Sequence, residues 1–233
     1  MTKRTAIIIP AYNEATVVAG VLKDIHKTFG DTVDVIVVDD ASTDDTGEVA
    51  RANGARVIRH VLNGGMGAGL PTSTGLRAAE LGGYDYVITM DADGQHVASD
   101  AKSILEHLQK HKLDLVIGSR LIDATGMSAT KQFGNWGLSV ITYLLFGVRV
   151  ADSQSGLRAL SRRAVTSIKL RSAGYEFCSE MLWRARQEHL KIAEAPIQAI
   201  YTDYSKGKGQ NNWNGFTIVR SLIKQRLLEI MYE

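Results

Sequence analysis

Cysteine, net charge and long apolar runs are all scarce in this chain of 233 residues. The single cysteine, Cys178, cannot form an internal disulfide, and no charged leader with an apolar run opens the chain, so a reducing cytoplasm is expected. Lysine and arginine total 27 against 25 aspartates and glutamates, which gives a net charge of +2. That balance excludes the strong positive field of a nucleic-acid-binding protein, so any anion site must be local.

No apolar run is long enough to cross a bilayer. The longest nearly uncharged stretch, residues 133–148, contains Asn135 and Ser139 and falls short of the roughly 20 apolar residues that a spanning helix needs. If the protein acts on lipid, it must lie on the membrane surface or use a separate membrane subunit. The C-terminal residues 213–232 fit two alternatives, an amphipathic helix that lies on a membrane or a terminal helix that faces the core.

Short β-branched runs alternate with helical patterns along the first half of the chain. Strands are predicted at residues 5–10, 33–38, 55–59, 84–90 and 114–118, with a last one at 196–201. Asn13 is expected to cap the first helix, and further helices run to about residues 52, 81 and 111. Runs that are apolar on both faces predict an α/β fold, with a mostly parallel, Rossmann-like sheet flanked by helices on both faces.

The chain contains no linker or low-complexity boundary. We therefore expect a single domain over residues 1–233. Residues 1–120 would form a nucleotide-binding half, and residues 121–233 would form an acceptor-binding half that ends in the amphipathic helix. A polar link at 152–156 and a helix at 176–189 are the clearest features of the second half.

Polar side chains cluster where the predicted strands end. In a doubly wound sheet ligands gather at the carboxyl ends of the strands, and these ends carry Asp39 and Asp40, Asp91 and Asp93, and Arg120. Serines and aspartates here could instead cap the following helices. Two carboxylates one residue apart after a buried strand repel each other unless a cation joins them, and Mg²⁺ or Mn²⁺ accepts such oxygens. A divalent ion would neutralise a diphosphate leaving group, as nucleotide-sugar transfer requires.

The glycine-rich stretch at residues 63–69 matches neither common phosphate-binding motif. It lacks the Gly-Lys-Ser/Thr ending of a P-loop, and it follows the third strand, whereas a dinucleotide-binding turn follows the first. Its glycines either let the backbone approach a nucleotide or let a helix pack closely against the sheet. Both alternatives stay open at this point.

Several motifs in order give the chain a resemblance to a known family. They are Ile9-Pro-Ala-Tyr-Asn-Glu14, Val37-Val-Asp-Asp-Ala-Ser-Thr-Asp-Asp-Thr46, Asp91-Ala-Asp-Gly-Gln-His96, Gly118-Ser-Arg120 and Asp152-Ser-Gln-Ser-Gly-Leu-Arg158. Together they resemble family 2 glycosyltransferases of the GT-A fold, in the branch of dolichyl-phosphate mannose synthase and bacterial polyprenyl-phosphate sugar transferases. The resemblance implies transfer of one sugar from a UDP- or GDP-linked donor to a lipid phosphate, with inversion at the anomeric carbon.

The resemblance also implies roles for individual residues. The expected donor-binding residues are Pro10, Ala11, Tyr12, Glu14, Asp39, Asp40, Asn63, Gly67, Asp91 and Ala92. Asp91, Asp93 and Gln95 would hold the metal, and Asp152, Gln154 and Arg120 would act at the transferred sugar. Arg120 and Lys131 would contact the acceptor phosphate, and His96 lies within the metal motif.

Two departures from the family pattern affect the substrate. The Gln-x-x-Arg-Trp run of processive synthases is absent from the sequence, which argues against repeated chain extension. The segment at 201–210, with Lys206 and Lys208, differs from the loop of the mannose synthases, so mannose and dolichol are not implied. Other acceptors would be a saccharide or protein hydroxyl, for which Asp152 would be the base. A non-catalytic nucleotide-sugar-binding subunit is a further alternative.

Overall fold

A computed structural model describes residues 3–65, 67–123, 127–198, 200, 218–224 and 226. The strands are β1 (Thr5–Ala11), β2 (Val33–Asp39), β3 (Arg56–Arg59), β4 (Tyr86–Thr89), β5 (Leu115–Ser119), β6 (Arg158–Ser161) and β7 (Ile192–Pro196). The helices are α1 (Val18–Phe29), α2 (Thr46–Ala52), α3 (Gly69–Gly82), α4 (Ala98–His111), α5 (Ala129–Phe146), α6 (Arg162–Ser167) and α7 (Phe177–Gln187), and residues 218–224 and 226 are also helical. Within these residues, no helix has the length and hydropathy needed to span a bilayer.

The strands form a seven-stranded sheet in the order β3-β2-β1-β4-β6-β5-β7. Strand β6 is antiparallel to both β4 and β5, and the other neighbouring pairs are parallel. The predicted α/β fold with a mostly parallel sheet is therefore confirmed. The sequence reading missed β6, because a four-residue strand that begins with an arginine has neither an apolar run nor an alternating pattern.

Both faces of the sheet are covered by helices. Strand β1 is buried along its whole length, and its alternate residues serve two separate apolar cores. Ile7 and Ile9 pack with α1 and α4, while Ala6 and Ile8 pack with α3 and α7. A strand buried on both sides must be apolar throughout, which is why β1 shows no polar alternation.

Two sequence predictions need correction here. Helix α1 begins at Val18, and Asn13 lies before it in a left-handed conformation with a φ of 53°, so Asn13 does not cap that helix. The last strand, predicted at 196–201, lies earlier, at Ile192–Pro196, where it pairs with β5. The prediction began the strand at Pro196, whereas Pro196 is the last residue of β7. A proline is tolerated there because β7 is an edge strand of the sheet.

The predicted C-terminal helix lies partly outside the described residues, as do Lys206 and Lys208. In its described part Leu222 and Ile218 are buried in the core that also contains Phe146 and Trp183. Ile223 is exposed. At residues 218–222 the helix therefore faces the core.

Candidate active site

The site lies at one edge of the sheet. The parallel strands β1, β2, β4 and β5 all end there, and the antiparallel β6 begins there. Since β6 runs in reverse, the segment before it, residues 151–157, reaches the same edge as the acidic residues after β4. A hydrogen bond of 2.7 Å from the Thr89 hydroxyl to the Gly156 carbonyl joins the two chain segments.

The loops after β1 and β2 are fastened to each other. The Asn13 amide donates to the Ser42 hydroxyl at 3.0 Å, and the Thr43 amide donates back to Asn13 Oδ1 at 2.8 Å. The Glu14 amide donates to Thr46 Oγ1 at 2.8 Å. Ser42 therefore fixes the first loop rather than capping α2. The contacts of Asn13 account for its left-handed backbone conformation, because that conformation turns the side chain toward the loop after β2.

Asp39 has an unused acceptor in a buried position. Its Oδ1 accepts a hydrogen bond of 2.8 Å from the Ser42 amide. Its Oδ2 is buried and accepts no hydrogen bond within the described part of the chain, although Arg59 Nε lies 3.6 Å away. The oxygen is closed off from solvent, and its ion pair with Arg59 partly offsets the missing hydrogen bond. Nearby, Pro10, Ala11 and Glu14 are buried, whereas Tyr12 is exposed.

Asp40 is engaged by the protein itself. His60 Nδ1 lies 2.6 Å from Asp40 Oδ1, and the Gly64 amide donates to both carboxylate oxygens at 3.1 and 3.2 Å. The Asn63 side chain donates to the Asp40 carbonyl at 2.9 Å. Asp40 and Asn63 are thus brought together as expected, and they hold the start of the glycine-rich stretch. His60, which also contacts Thr74 at 3.0 Å, was not singled out in the sequence because a lone histidine carries no motif.

The glycines of this stretch pack against another backbone segment. A Cβ atom on Gly67 would lie 2.5 Å from the Tyr175 nitrogen, and one on Gly69 would lie 2.4 Å from the Ser172 carbonyl oxygen. The buried Glu180 fixes the facing segment by accepting from the Arg171 and Ser172 amides. Close packing therefore accounts for Gly67 and Gly69, but the packing is against the backbone of residues 172–175 and not against the sheet as the sequence suggested. A contact of Gly67 with the donor stays a prediction.

The acidic pair lies directly after β4. Asp93 accepts from the Gln95 amide at 3.0 Å and from the Gln95 side chain at 2.7 Å, and Asp91 Oδ2 lies 3.3 Å from His96 Nε2. Burial would raise the pKa of Asp91, but the hydrogen bond and charge of His96, with the charge of Arg120, outweigh it and lower that pKa. Burial and the charge of Asp91 raise the pKa of Asp93. The two carboxyls thus resist being ionised together.

Asp91 and Asp93 together supply part of the ligand set that a divalent cation needs. Mutual repulsion of two carboxylates is relieved by a hard cation between them, and both offer the oxygen ligands that Mg²⁺ or Mn²⁺ prefers. Within the described residues, no group of three or more His, Cys, Asp and Glu side chains could hold a metal. Asp91 and Asp93 would therefore need further oxygen ligands, such as those of a diphosphate.

The buried Asp152 forms an ion pair with the partly exposed Arg120 beside the acidic residues. Arg120 Nε donates to Asp152 Oδ2 at 2.7 Å and its Nη2 donates to Oδ1 at 3.0 Å, which is the bidentate arrangement. The Arg120 and Gln154 amides also donate to this carboxylate. Burial would raise the pKa of Asp152, but the charge and hydrogen bonds of Arg120 outweigh it and lower that pKa. Lys131 is exposed on α5.

Several residues that support the 151–157 segment were missed in the sequence. Glu194 of β7 accepts from the Ala151 and Asp152 amides at 2.7 and 3.0 Å. Arg158 is fully buried and donates to the carbonyls of Ser155, Cys178 and Ser153 at 2.7 to 2.9 Å. Glu194 and Cys178 lie far from this segment in the chain, so no local pattern signals their contacts with it.

Gln154 is held by hydroxyl groups. Its side-chain nitrogen donates to Ser153 Oγ at 2.9 Å and to Ser179 Oγ at 3.0 Å. Ser139 and Thr142 of α5 complete this buried cluster. Asp152, Gln154 and Arg120, the residues predicted to act at the transferred sugar, therefore lie close together.

Comparisons with known proteins agree with this arrangement. Residues 6–165 match the model of a family described as Glycosyl transferase family 2. The chain is 37% identical over 247 residues to a UDP-N-acetylglucosamine–dolichyl-phosphate N-acetylglucosaminyltransferase of Methanococcus voltae, covering 97% of both chains. It is 30% identical to an undecaprenyl-phosphate mannosyltransferase of Micrococcus luteus, covering 93% of this chain and 91% of the relative.

A solved structure shows the same fold. The crystal structure of glucosyl-3-phosphoglycerate synthase from Mycobacterium tuberculosis, in complex with Mn²⁺, UDP and glucosyl-3-phosphoglycerate, superposes with a TM-score of 0.72. The two sequences are 23% identical, and the match covers 97% of this chain and 79% of the other. At that identity the likeness concerns the fold alone.

Proposed function

Because the chain belongs to glycosyl transferase family 2 and has the GT-A fold, we propose that it moves one sugar from a nucleoside diphosphate to a polyprenyl phosphate, with inversion. It is a glycosyltransferase by family. The proposal concerns the acceptor, the metal and the residues that act. UDP is the proposed nucleotide, since the relative from Methanococcus voltae is named for a UDP-linked donor, and GDP is the other candidate.

The donor would lie across the ends of β1, β2 and β4. Asp39 and Asp40, at the end of β2, would contact the base and the ribose. Asp91 and Asp93, with Gln95, would hold Mg²⁺ or Mn²⁺ at the diphosphate. When bound there, the ion supplies Lewis acidity that stabilises the leaving nucleoside diphosphate. Burial and the charge of Asp91 raise the pKa of Asp93, so a cation held between the two carboxylates would relieve their repulsion.

The hydrogen bonds and the lowered pKa of Asp152 are the observation that supports a phosphate acceptor. Arg120 and two backbone amides already donate to its carboxylate, and its pKa is lowered, so Asp152 is a weak base. A sugar hydroxyl needs a base to become a nucleophile, whereas a phosphate is anionic at neutral pH. The arrangement therefore favours an acceptor that brings its own charge, which Arg120 and Lys131 would attract.

The division of labour along the chain is part of the proposal. Residues 1–120 would bind the nucleotide sugar, and residues 121–233 would bind the acceptor, within one domain. Because a polyprenyl phosphate resides in a membrane, we place the protein on the cytoplasmic face of that membrane, either directly or through a membrane subunit.

A comparison of acceptors tests this function. The purified chain would be incubated with Mn²⁺ and radiolabelled UDP-N-acetylglucosamine, together with either a polyprenyl phosphate or a panel of saccharide and peptide hydroxyl acceptors. We expect label in the lipid phosphate only, and Asp93→Ala should abolish transfer. Label in the hydroxyl acceptors alone would overturn the proposal, and donor binding without transfer to any acceptor would indicate a non-catalytic subunit.

A further inference from the structure

Helix α5 exposes a stripe of large apolar side chains. Phe133, Trp136, Tyr143 and Leu144 are 72%, 54%, 49% and 73% exposed. Their spacing follows the 3.6-residue period, so they lie along one face of the helix. The rings of Phe133 and Trp136 are 5.8 Å apart between centroids, which makes this part of the stripe continuous.

A different face of α5 contacts the active site. Ser139 and Thr142 are buried there, and both hydroxyls lie within hydrogen-bond distance of Ser153 in the 151–157 segment. Thr142 also contacts Ser179, which accepts from Gln154. The exposed stripe is thus one helix diameter, about 10 Å, from the segment that carries Asp152.

The chain segment that contains the stripe, residues 124–151, carries charges of one sign, and the exposed Asp123 lies just before it. Residues 124–151 contain no aspartate or glutamate, but they contain Lys131 and Arg149, and both are exposed. At the C-terminal end of α5, Arg186 and Arg226 line a cleft beside Phe146. A second copy of this chain would bring the same positive charge to the contact, whereas an anionic surface would be attracted to it.

We propose that the outer face of α5, the stripe of Phe133, Trp136, Tyr143 and Leu144, binds an anionic lipid surface. Tryptophan and tyrosine favour the boundary between headgroups and acyl chains, and neighbouring cations add attraction to anionic lipid. Contact on this face would hold the site next to the plane in which a lipid phosphate lies. The inference rests on the proposed function for its biological purpose, but the binding itself can be measured without turnover.

Vesicle binding of the full chain tests the surface directly. Phosphatidylcholine vesicles with and without phosphatidylglycerol would be sedimented with the wild type, with Phe133→Ser/Leu144→Ser and with Leu81→Ser. Leu81 is the matched control, since it is a helical leucine with 71% exposure. We expect binding only to the anionic vesicles, at least about tenfold weaker binding by the double variant, and no change for Leu81→Ser. All of the altered side chains are exposed, so the variants should melt like the wild type.

Activity separates this inference from the proposed function. The double variant should keep wild-type transfer to a water-soluble, short-chain isoprenyl phosphate, and it should lose most transfer to polyprenyl phosphate in vesicles. Wild-type vesicle binding by the double variant would overturn the inference, as would equal binding to neutral and anionic vesicles. A wild-type dimer that the double variant abolishes, without vesicle binding, would show that a second copy covers the stripe. If no lipid phosphate accepts sugar while the stripe still governs vesicle binding, the proposed function fails and the inference stands.

Discussion

Replacing Gly156 with alanine should displace the Asp91 carboxylate. A Cβ atom at position 156 would lie 2.5 and 2.6 Å from the Asp91 oxygens and 2.8 Å from its Cγ. Ordinary contacts of a Cβ atom begin near 3.4 Å, so the carboxyl group must move by roughly 0.8 Å or more. The backbone of Gly156 does not have a positive φ, so alanine itself introduces no backbone strain there.

The expected effect is a loss of metal affinity rather than of stability. A change that reorients a metal ligand without removing it lowers metal affinity by about 10- to 100-fold. This corresponds to about 1.4 to 2.7 kcal/mol of binding free energy. Calorimetric titration of Mn²⁺ into the protein saturated with UDP would measure the change, and a urea melt would check the fold.

Gly20→Ala provides the matched control. Gly20 lies in α1, and no heavy atom lies within 4 Å of its added Cβ. Alanine should stabilise this helix by about 0.5 to 1 kcal/mol and leave Mn²⁺ affinity unchanged. A folded Gly156→Ala protein with wild-type Mn²⁺ affinity would refute the proposed role of Asp91.

Further changes test the packing, the ion pair and the cysteine. Gly69→Ala should lower the free energy of unfolding by about 1 to 3 kcal/mol in a urea melt, because its Cβ would overlap the Ser172 carbonyl; wild-type stability would contradict the close packing. Asp152→Asn should cost up to roughly 3 kcal/mol at pH 7, since it removes the buried carboxylate that accepts the bidentate hydrogen bonds of Arg120. Because the pKa of Asp152 is lowered in the folded protein, its contribution to the free energy of unfolding is complete above the unfolded pKa of about 3.9. That contribution disappears as the pH falls through the folded pKa. The stabilities of the wild type and of Asp152→Asn should therefore converge in acid. Burial raises the pKa of Cys178 to about 11, so Ellman's reagent at pH 8 should label this thiol only after unfolding, and rapid labelling of the native protein would exclude such burial.

The position of the acidic residues at the ends of the strands could be predicted from the sequence because its signals are local. Strands β1, β2 and β4 are apolar runs that end at polar residues, so Asp39, Asp91 and Asp93 follow from position alone. Parallel strands end at one edge, which brings these carboxylates together in space. The motif resemblance named the same residues.

The rest depends on tertiary contacts that leave no local pattern. Strand β6 can be recognised only from its pairing with β4 and β5. Arginine is usually a surface residue, and only the structure shows the buried carbonyl groups to which Arg158 donates. Asn13 has the residue type of a helix cap, but its hydrogen bonds to the loop after β2 take precedence. Glu194 reaches the 151–157 segment from a strand some 40 residues later in the chain.

The reversed strand β6 has a consequence for how such enzymes diversify. Its register is fixed by backbone pairing on both sides, to β4 and to β5. The part of the β5–β6 connection that precedes residue 151 can therefore lengthen, shorten or change composition, while Glu194 and the Thr89–Gly156 hydrogen bond hold the 151–157 segment, and with it Asp152, in place. A change on the proposed acceptor side can therefore arise there without rebuilding the ends of β1, β2 and β4, where the donor is proposed to bind.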